Sequence, residues 1–172
     1  MRVRQVRAEE WETLRELRLR ALADAPEVFA RTHAEEAAYP EELWRRRAAG
    51  GPDTVTLIAA WDGRAGPTGG ARPRPAAVGM ATVRLEGEPL RGHLLGMWVD
   101  PASRRQGVAR ALIERAAGWA TSRGAGELVL WVVDRNTAAR RLYEAAGFEP
   151  TGDHQPLPSR PGLTESKLRR KL

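Results

Sequence analysis

No cysteine occurs among the 172 residues, so disulfides, thiolate metal sites and a cysteine nucleophile are excluded, and the composition fits a reducing compartment. No apolar run approaches the roughly 20 residues that span a bilayer. The stretch Met1 to Arg7 passes straight into an acidic helical pattern, without the apolar centre of a secretion signal, and a cytoplasmic protein is expected. Histidine is sparse, with three residues. His33, His93 and His154 stand far apart with no His-Glu-x-x-His spacing, so metal-dependent hydrolysis is poorly served and no metal is expected. Missing too is a Gly-x-x-x-x-Gly-Lys-Ser/Thr phosphate loop. The one glycine pair that approaches a dinucleotide fingerprint, Gly124-Ala125-Gly126, lacks the third glycine and precedes a strand pattern instead of following one.

What is present is the composition of a soluble globular protein, 42% hydrophobic and 29% charged, long enough for one well-filled core and short for two. One domain over residues 1–172 is expected. The formal charge of +6 comes almost wholly from arginine. Those arginines are scattered among Asp and Glu, at Arg7 to Arg20 and Arg45 to Arg47, on what read as solvated helix faces. That dispersal argues against a nucleic-acid surface and is compatible with a small anionic ligand.

Along the chain, Val3 to Val6 reads as a strand and Glu9 to Leu22 as a helix, with Trp11, Leu14, Leu17 and Ala21 at three- and four-residue steps. Phe29 to Ala38 is open to more than one local structure; Pro40 then heads a second helix to Ala49, proline taking the first helical position. Val55 to Trp61 and Ala76 to Leu85 read as neighbouring strands, joined by a Gly/Pro/Arg stretch at residues 62–75 that reads as a mobile hairpin loop. His93 to Val99 is the next strand, and strict alternation puts His93, Leu95, Met97 and Val99 on one face. A helix from Gly107 to about Arg123, an apolar strand from Leu128 to Val133 and a helix from Asn136 to Ala146 follow. In that last helix Ala138, Leu142 and Ala145 form the expected buried stripe, with Tyr143 beside it. Phe148 to Gly152 starts a strand, Asp153 to Gly162 reads as a proline-broken loop, and Thr164 to Leu172 closes the sheet. The order implies a mixed α/β fold with helices covering both faces of one sheet.

The most informative segment is Val99-Asp100-Pro101-Ala102-Ser103-Arg104-Arg105-Gln106-Gly107-Val108-Ala109-Arg110, in which a strand runs into an Arg/Gly turn that opens onto an amphipathic helix. A helix start carries N–H groups without intrahelical partners and the positive end of the helix dipole, so it holds an anion largely by backbone, provided that a residue without a side chain lets the anion approach. Gly107 is that residue. Some thirty residues on come Asn136 and the run Leu142-Tyr143-Glu144-Ala145-Ala146-Gly147-Phe148. Together the two segments resemble the GNAT superfamily of acyl-CoA-dependent N-acyltransferases, strongly over Ala76 to Gly152 and weakly over the N-terminal helices.

The resemblance implies a mostly antiparallel sheet in which the strand before the cradle splays from the strand after the following helix, with the CoA arm in the V between them. It implies acetyl-CoA as acyl donor and direct transfer to an amine acceptor in a ternary complex, without a metal. Arg104, Arg105, Gln106, Gly107, Val108, Ala109 and Arg110 would bind the pyrophosphate, backbone groups of Met97 and Val99 the pantetheine arm, and the Met97 N–H the acyl oxygen. Asn136 would contact the CoA arm and is also a good N-cap; both roles are compatible. Tyr143 would protonate the leaving thiolate, a phenol of pKa about 10 being matched to a thiol, although a tyrosine beside a core stripe also serves as a packing residue. Many relatives carry a carboxylate as general base eleven residues before the first motif position; here that position is His93, with Glu86 and Glu88 in reserve. The acceptor would be an amine-bearing small molecule, peptide or protein. A homodimer is compatible with the resemblance, and a non-catalytic acyl-CoA-sensing module of the same fold is the alternative function.

Overall fold

The computed structural model describes residues 1–61 and 77–172, so the loop expected at residues 62–75 lies outside the described residues. The elements are β1 Arg2–Gln5, α1 Trp11–Asp24, α2 His33–Ala37, α3 Glu41–Ala49, β2 Thr54–Ala60, β3 Ala77–Glu86, β4 Arg91–Val99, α4 Val108–Thr121, β5 Glu127–Val133, α5 Thr137–Ala145, β6 Glu149–Leu157 and β7 Arg160–Lys171. They form one seven-stranded sheet of order β1-β2-β3-β4-β5-β7-β6. Only β4 and β5 run parallel, and they pair for just three residues, Arg91↔Glu127 to His93↔Val129, before they part. The mixed, mostly antiparallel sheet with a splayed central pair is therefore present.

Two apolar clusters sandwich the sheet. On one face α4 lays Val108, Leu112, Ile113, Ala116 and Ala120 against Ala81, Val83, Leu94 and Leu128, and Tyr143 and Phe148 extend the same cluster. The approach is close: a Cβ at Gly92 would stand 2.9 Å from Leu128 Cδ1 and 3.1 Å from Ala120 Cβ, so a side chain there would push the helix off the sheet. Leu112 is fully enclosed, and its truncation to alanine is expected to cost about 2–5 kcal/mol. On the other face, Leu14, Leu17, Leu22 and Trp44 of α1 and α3 pack on Ile58, Met80 and Trp98.

The structure corrects several expectations. Three helices, not two, precede β2, because Thr32 accepts from the Glu35 N–H at 3.2 Å while the Glu35 carboxylate accepts from the Thr32 N–H at 2.7 Å, a capping box that starts α2. The short helix is pinned by Glu36, buried between Arg18 and Arg47 at 2.7 Å each. Burial alone would raise that carboxyl, but the two guanidiniums outweigh it and hold the group below the usual carboxylate range. Pro40 is the N-cap of α3, with extended backbone, and not its first helical residue.

The segment 153–157 is strand, not a proline-broken loop. β6 is the sheet's edge, paired on one side only to β7, so the N–H groups that Pro150 and Pro156 lack cost the ladder little. In α5 the sheet-facing stripe is Ala139, Tyr143 and Ala146, with Leu142 partly buried and Ala138 and Ala145 exposed. The Asn136 side chain, accepting from the Ala139 N–H at 3.2 Å, caps the helix at its start. The alternation expected along β4 also fails. Register passes from Thr82↔Leu95 to Met80↔Trp98, leaving Gly96 and Met97 opposite Ala81 alone, and Gly96 takes φ +58. This bulge reverses the facing of the strand: Met97 and Val99 join the α4 cluster, whereas His93 and Leu95 pair with Arg84 and Thr82 on the opposite face.

Candidate active site

The parting of β4 and β5 opens a cleft of about 750 Å³. Its walls include Gly96 to Val99 of β4, Arg104, Arg105 and Gly107 to Arg110 around the head of α4, Trp131 to Val133 of β5, Asn136 at the start of α5 and Tyr143 within it, and Val28 and Phe29 after α1. A volume of this order suits a small-molecule site.

At the head of α4, Gly107 takes φ +81, and a Cβ built there would meet nothing within 4 Å. The first helical hydrogen bond runs from the Ala111 N–H to the Gly107 carbonyl at 3.0 Å, so the N–H groups of Gly107, Val108, Ala109 and Arg110 lie ahead of the helical ladder. Arg105 also adopts a left-handed conformation, φ 59, which gathers successive N–H groups into an anion-binding concavity. The arginines of the motif divide. Arg104 is committed to the fold: its Nε donates to the Val99 carbonyl at 3.0 Å and its Nη2 pairs with Asp24 at the end of α1. Asp24 also accepts from Trp98 Nε1 at 2.9 Å. Gln106 folds back on the Ala102 carbonyl at 3.0 Å. Arg105 and Arg110 line the cleft and make no ion pair among the described residues, and the same holds for Arg135, which sequence reasoning missed.

Across the cleft, Tyr143 is packed on Phe148 edge to face, ring centroids 5.6 Å apart, and is only 8% exposed. Burial pushes its phenol well above the ordinary value, so its proton stays on at any physiological pH. It is a weaker acid in this buried setting than an ordinary phenol, on which the sequence-based expectation rests. Met97 stands at the bulge, and a residue in that position keeps a main-chain N–H outside the regular ladder.

His93 is not among the residues that line the cleft. It sits four residues before Met97, about 13 Å along an extended strand, at the closed end of the V where β4 and β5 still pair. Its Nε2 is 3.1 Å from Glu86 Oε1, and Glu86 also accepts from Arg84 Nε at 3.0 Å. Burial lowers the imidazole's pKa, and Arg84, Lys167 and Arg91 add to this against the opposing Glu86. Glu88 lies with Glu86 at the β3–β4 turn, likewise outside the cleft lining. Among the described residues no cluster of His, Asp and Glu is arranged to hold a metal ion, and no helix is long and apolar enough to cross a membrane.

Comparison with known proteins agrees with this geometry. The profile of the Acetyltransferase (GNAT) family matches residues 11–148. A mycothiol acetyltransferase from Beutenbergia cavernae is 38% identical over 63 residues, 37% of this chain and 21% of the relative, so the chain spans about a fifth of that relative's length. A GCN5-related N-acetyltransferase from Kribbella flavida superposes with TM-score 0.74 at 22% identity, over 99% of this chain and 97% of the other. The PaiA N-acetyltransferase of Thermoplasma acidophilum, solved in complex with coenzyme A, gives TM-score 0.67 at 15% identity, over 99% and 98% of the two chains. At these identities the two structures speak for the fold alone.

Proposed function

The chain belongs to the acetyltransferase (GNAT) family, and from that premise we propose that it moves an acetyl group from acetyl-CoA to an amine by direct attack in a ternary complex. Acetyl-CoA, when bound, supplies an acyl carbon activated as a thioester. The observation that carries the reading is the convergence on one cleft of an open helix start at Gly107, a bulged strand at Met97 and a buried tyrosine at 143. The residues fit the donor: the Gly107–Arg110 amides and the cleft-lining Arg105, Arg110 and Arg135 suit a pyrophosphate. The β4 edge freed by the splay, from Met97 to Val99, offers main-chain groups to the amides of a pantetheine arm.

In this reading the Met97 N–H donates to the acyl oxygen as negative charge builds there, worth about 3–4 kcal/mol of barrier for one such donor. The Tyr143 hydroxyl gives its proton to the departing sulfur. No described residue hydrogen-bonds that hydroxyl, which leaves it free to turn toward a ligand. Arg104 serves differently from the pattern's other members, tying the cradle to α1 through Asp24. Asn136 caps α5 and so fixes the helix that carries Tyr143.

The test is thiol release from acetyl-CoA across a panel of primary amines, with coenzyme A affinity measured calorimetrically in parallel. Amine-dependent release is expected. Tight coenzyme A binding without release for any amine would turn the reading toward an acyl-CoA-sensing module.

A further inference from the structure

Resting on the transferase reading, we propose that the acceptor is a small amine with an apolar body, its body seated on Leu95 and Trp131 and its nitrogen turned to the Glu165 carboxylate. The helices of the α1 face stop short of this region: the cluster beneath α1 and α3 reaches Ile58, Met80 and Trp98 but no residue of β5 or β7. Leu95 is left 37% exposed, and apart from Met1 and Leu172 near the chain ends no other described large hydrophobic side chain is. Trp131, half-buried, lines the cleft and lies level with Leu95 on the other arm of the V, two residues beyond the last pair, His93↔Val129. Trp131 on the cleft wall and Leu95 beside the lining residues Leu94 and Gly96, uncovered by the protein's own helices, make a surface suited to an apolar substrate body.

The polar end is as well marked. Trp131 pairs with Lys167 and Val133 with Glu165, so both charged residues stand on the face that Trp131 and Val133 present. Lys167 is occupied, 3.5 Å from Asp153 and 5.8 Å from the Trp131 ring. Glu165 is 7% exposed, accepts from Gln155 Nε2 at 2.6 Å and has no cation within ion-pair distance among the described residues. Burial raises its carboxyl above the usual range, Gln155 opposes this, and the Asp134 charge adds to it. Glu165 itself stands outside the cleft lining, and Arg135, which is part of that lining, makes no ion pair with it. A buried carboxylate without a counter-ion offers an arriving ammonium a partner and takes its proton more readily than an ordinary carboxylate does.

The roof sets the size. Ser159 Oγ, at the β6–β7 turn, donates to the Phe29 carbonyl at 2.6 Å and so ties that hairpin to the segment after α1 above the cleft. A folded protein surface would have to break this tie; a small amine would pass beneath it.

The proton balance closes. The ammonium gives one proton to Glu165, which passes it to solvent. As the N–C bond forms and the C–S bond breaks, the Tyr143 proton goes to sulfur, and the proton shed by the acylated nitrogen restores the phenol. One proton leaves per turnover.

The experiment compares kcat/KM for phenethylamine, spermine and a lysine-containing peptide in the wild type and in Leu95→Ser, Glu165→Gln and His93→Ala, with acetyl-CoA affinity followed by calorimetry. Phenethylamine is expected to exceed both others by about tenfold or more. Leu95→Ser is expected to raise KM for phenethylamine about tenfold with acetyl-CoA affinity unmoved. Glu165→Gln is expected to lower kcat/KM about 10²-fold and to abolish the ascending limb of the pH profile, which His93→Ala leaves in place. Spermine or the peptide turning over as well as phenethylamine, or a limb lost in His93→Ala and kept in Glu165→Gln, overturns the inference while acetyl transfer stands. Acetyl-CoA binding without thiol release from any amine removes the transferase reading and this inference with it.

Discussion

On the α4 side of the cleft, the wall is built around main-chain amides from one contiguous stretch, Gly107 to Arg110, with Arg105, Arg110 and Tyr143 beside them. On the α1 and β7 side they are side chains from separate parts of the chain: Phe29 and Trp131 line the cleft, and the proposed acceptor seat adds Leu95 and Glu165 just outside that lining. The first wall uses backbone geometry, which a helix start, a glycine with positive φ and a strand end reproduce wherever they occur together. The second uses side-chain identity, which is free to change without disturbing the sheet. A family can therefore share a donor and differ in acceptor, and the two walls should respond differently to substitution.

The sharpest break is Gly107→Glu. A side chain there is strained at φ +81 and would put a carboxylate into the space proposed for a pyrophosphate, so coenzyme A binding should fall below calorimetric detection while circular dichroism shows the fold retained. Unchanged affinity would place the donor elsewhere. Next comes Tyr143→Phe, which keeps the ring on Phe148 and removes only the proton: kcat should drop about 10²-fold with coenzyme A affinity and thermal midpoint nearly unchanged. Wild-type turnover in that variant would reduce Tyr143 to packing. Asn136→Ala tests whether the cap matters to the fold as well as the cleft; loss of the Ala139 N–H acceptor should cost about 1 kcal/mol in urea unfolding. A variant as stable as the wild type would remove the cap from the account of α5.

The smallest effect lies far from both walls. The Arg4 guanidinium, hydrogen-bonded to Glu10 through two contacts of 2.6 Å, holds that carboxyl down to about 2 from an ordinary 4.5. A depressed carboxyl adds stability that is fully present above the unfolded value and is lost as pH falls through the folded one, here from about 4.5 down to about 2. Glu10→Gln should therefore flatten the acid side of the stability profile in that window and leave turnover at neutral pH alone. An unaltered acid limb would mean that the pair contributes nothing, as many exposed pairs do.

The contrast between the walls also explains which parts of the molecule were legible. The strand–turn–helix at 99–108 was legible because its parts are neighbours in sequence: Val99 ends a strand, Gly107 turns and Val108 begins a helix. Asn136 as N-cap was legible for the same reason. The capping box of Thr32 and Glu35 was equally local, and its threonine-x-x-glutamate spacing was a signal available to find α2. The bulge at Gly96 was not legible, since two residues facing one depends on the partner strand, and strict alternation then misplaced Met97 relative to His93.

By itself, then, the sequence determined the order of the elements apart from α2 and the second half of β6, and the open helix start after Gly107, because hydrophobic period, caps and turn residues act over a few positions. It also carried the family resemblance, since the motif residues keep their spacing. Only the tertiary structure decided that Pro150 and Pro156 sit on an edge strand, because edge or centre is a property of who pairs with whom. It alone set Arg104 against Asp24, eighty residues away, and so took that cation from the pool open to a ligand. It alone brought Glu165 beside Val133 and left Leu95 bare, because burial and exposure are decided by which elements cover one another, and no short-range pattern in the chain encodes that.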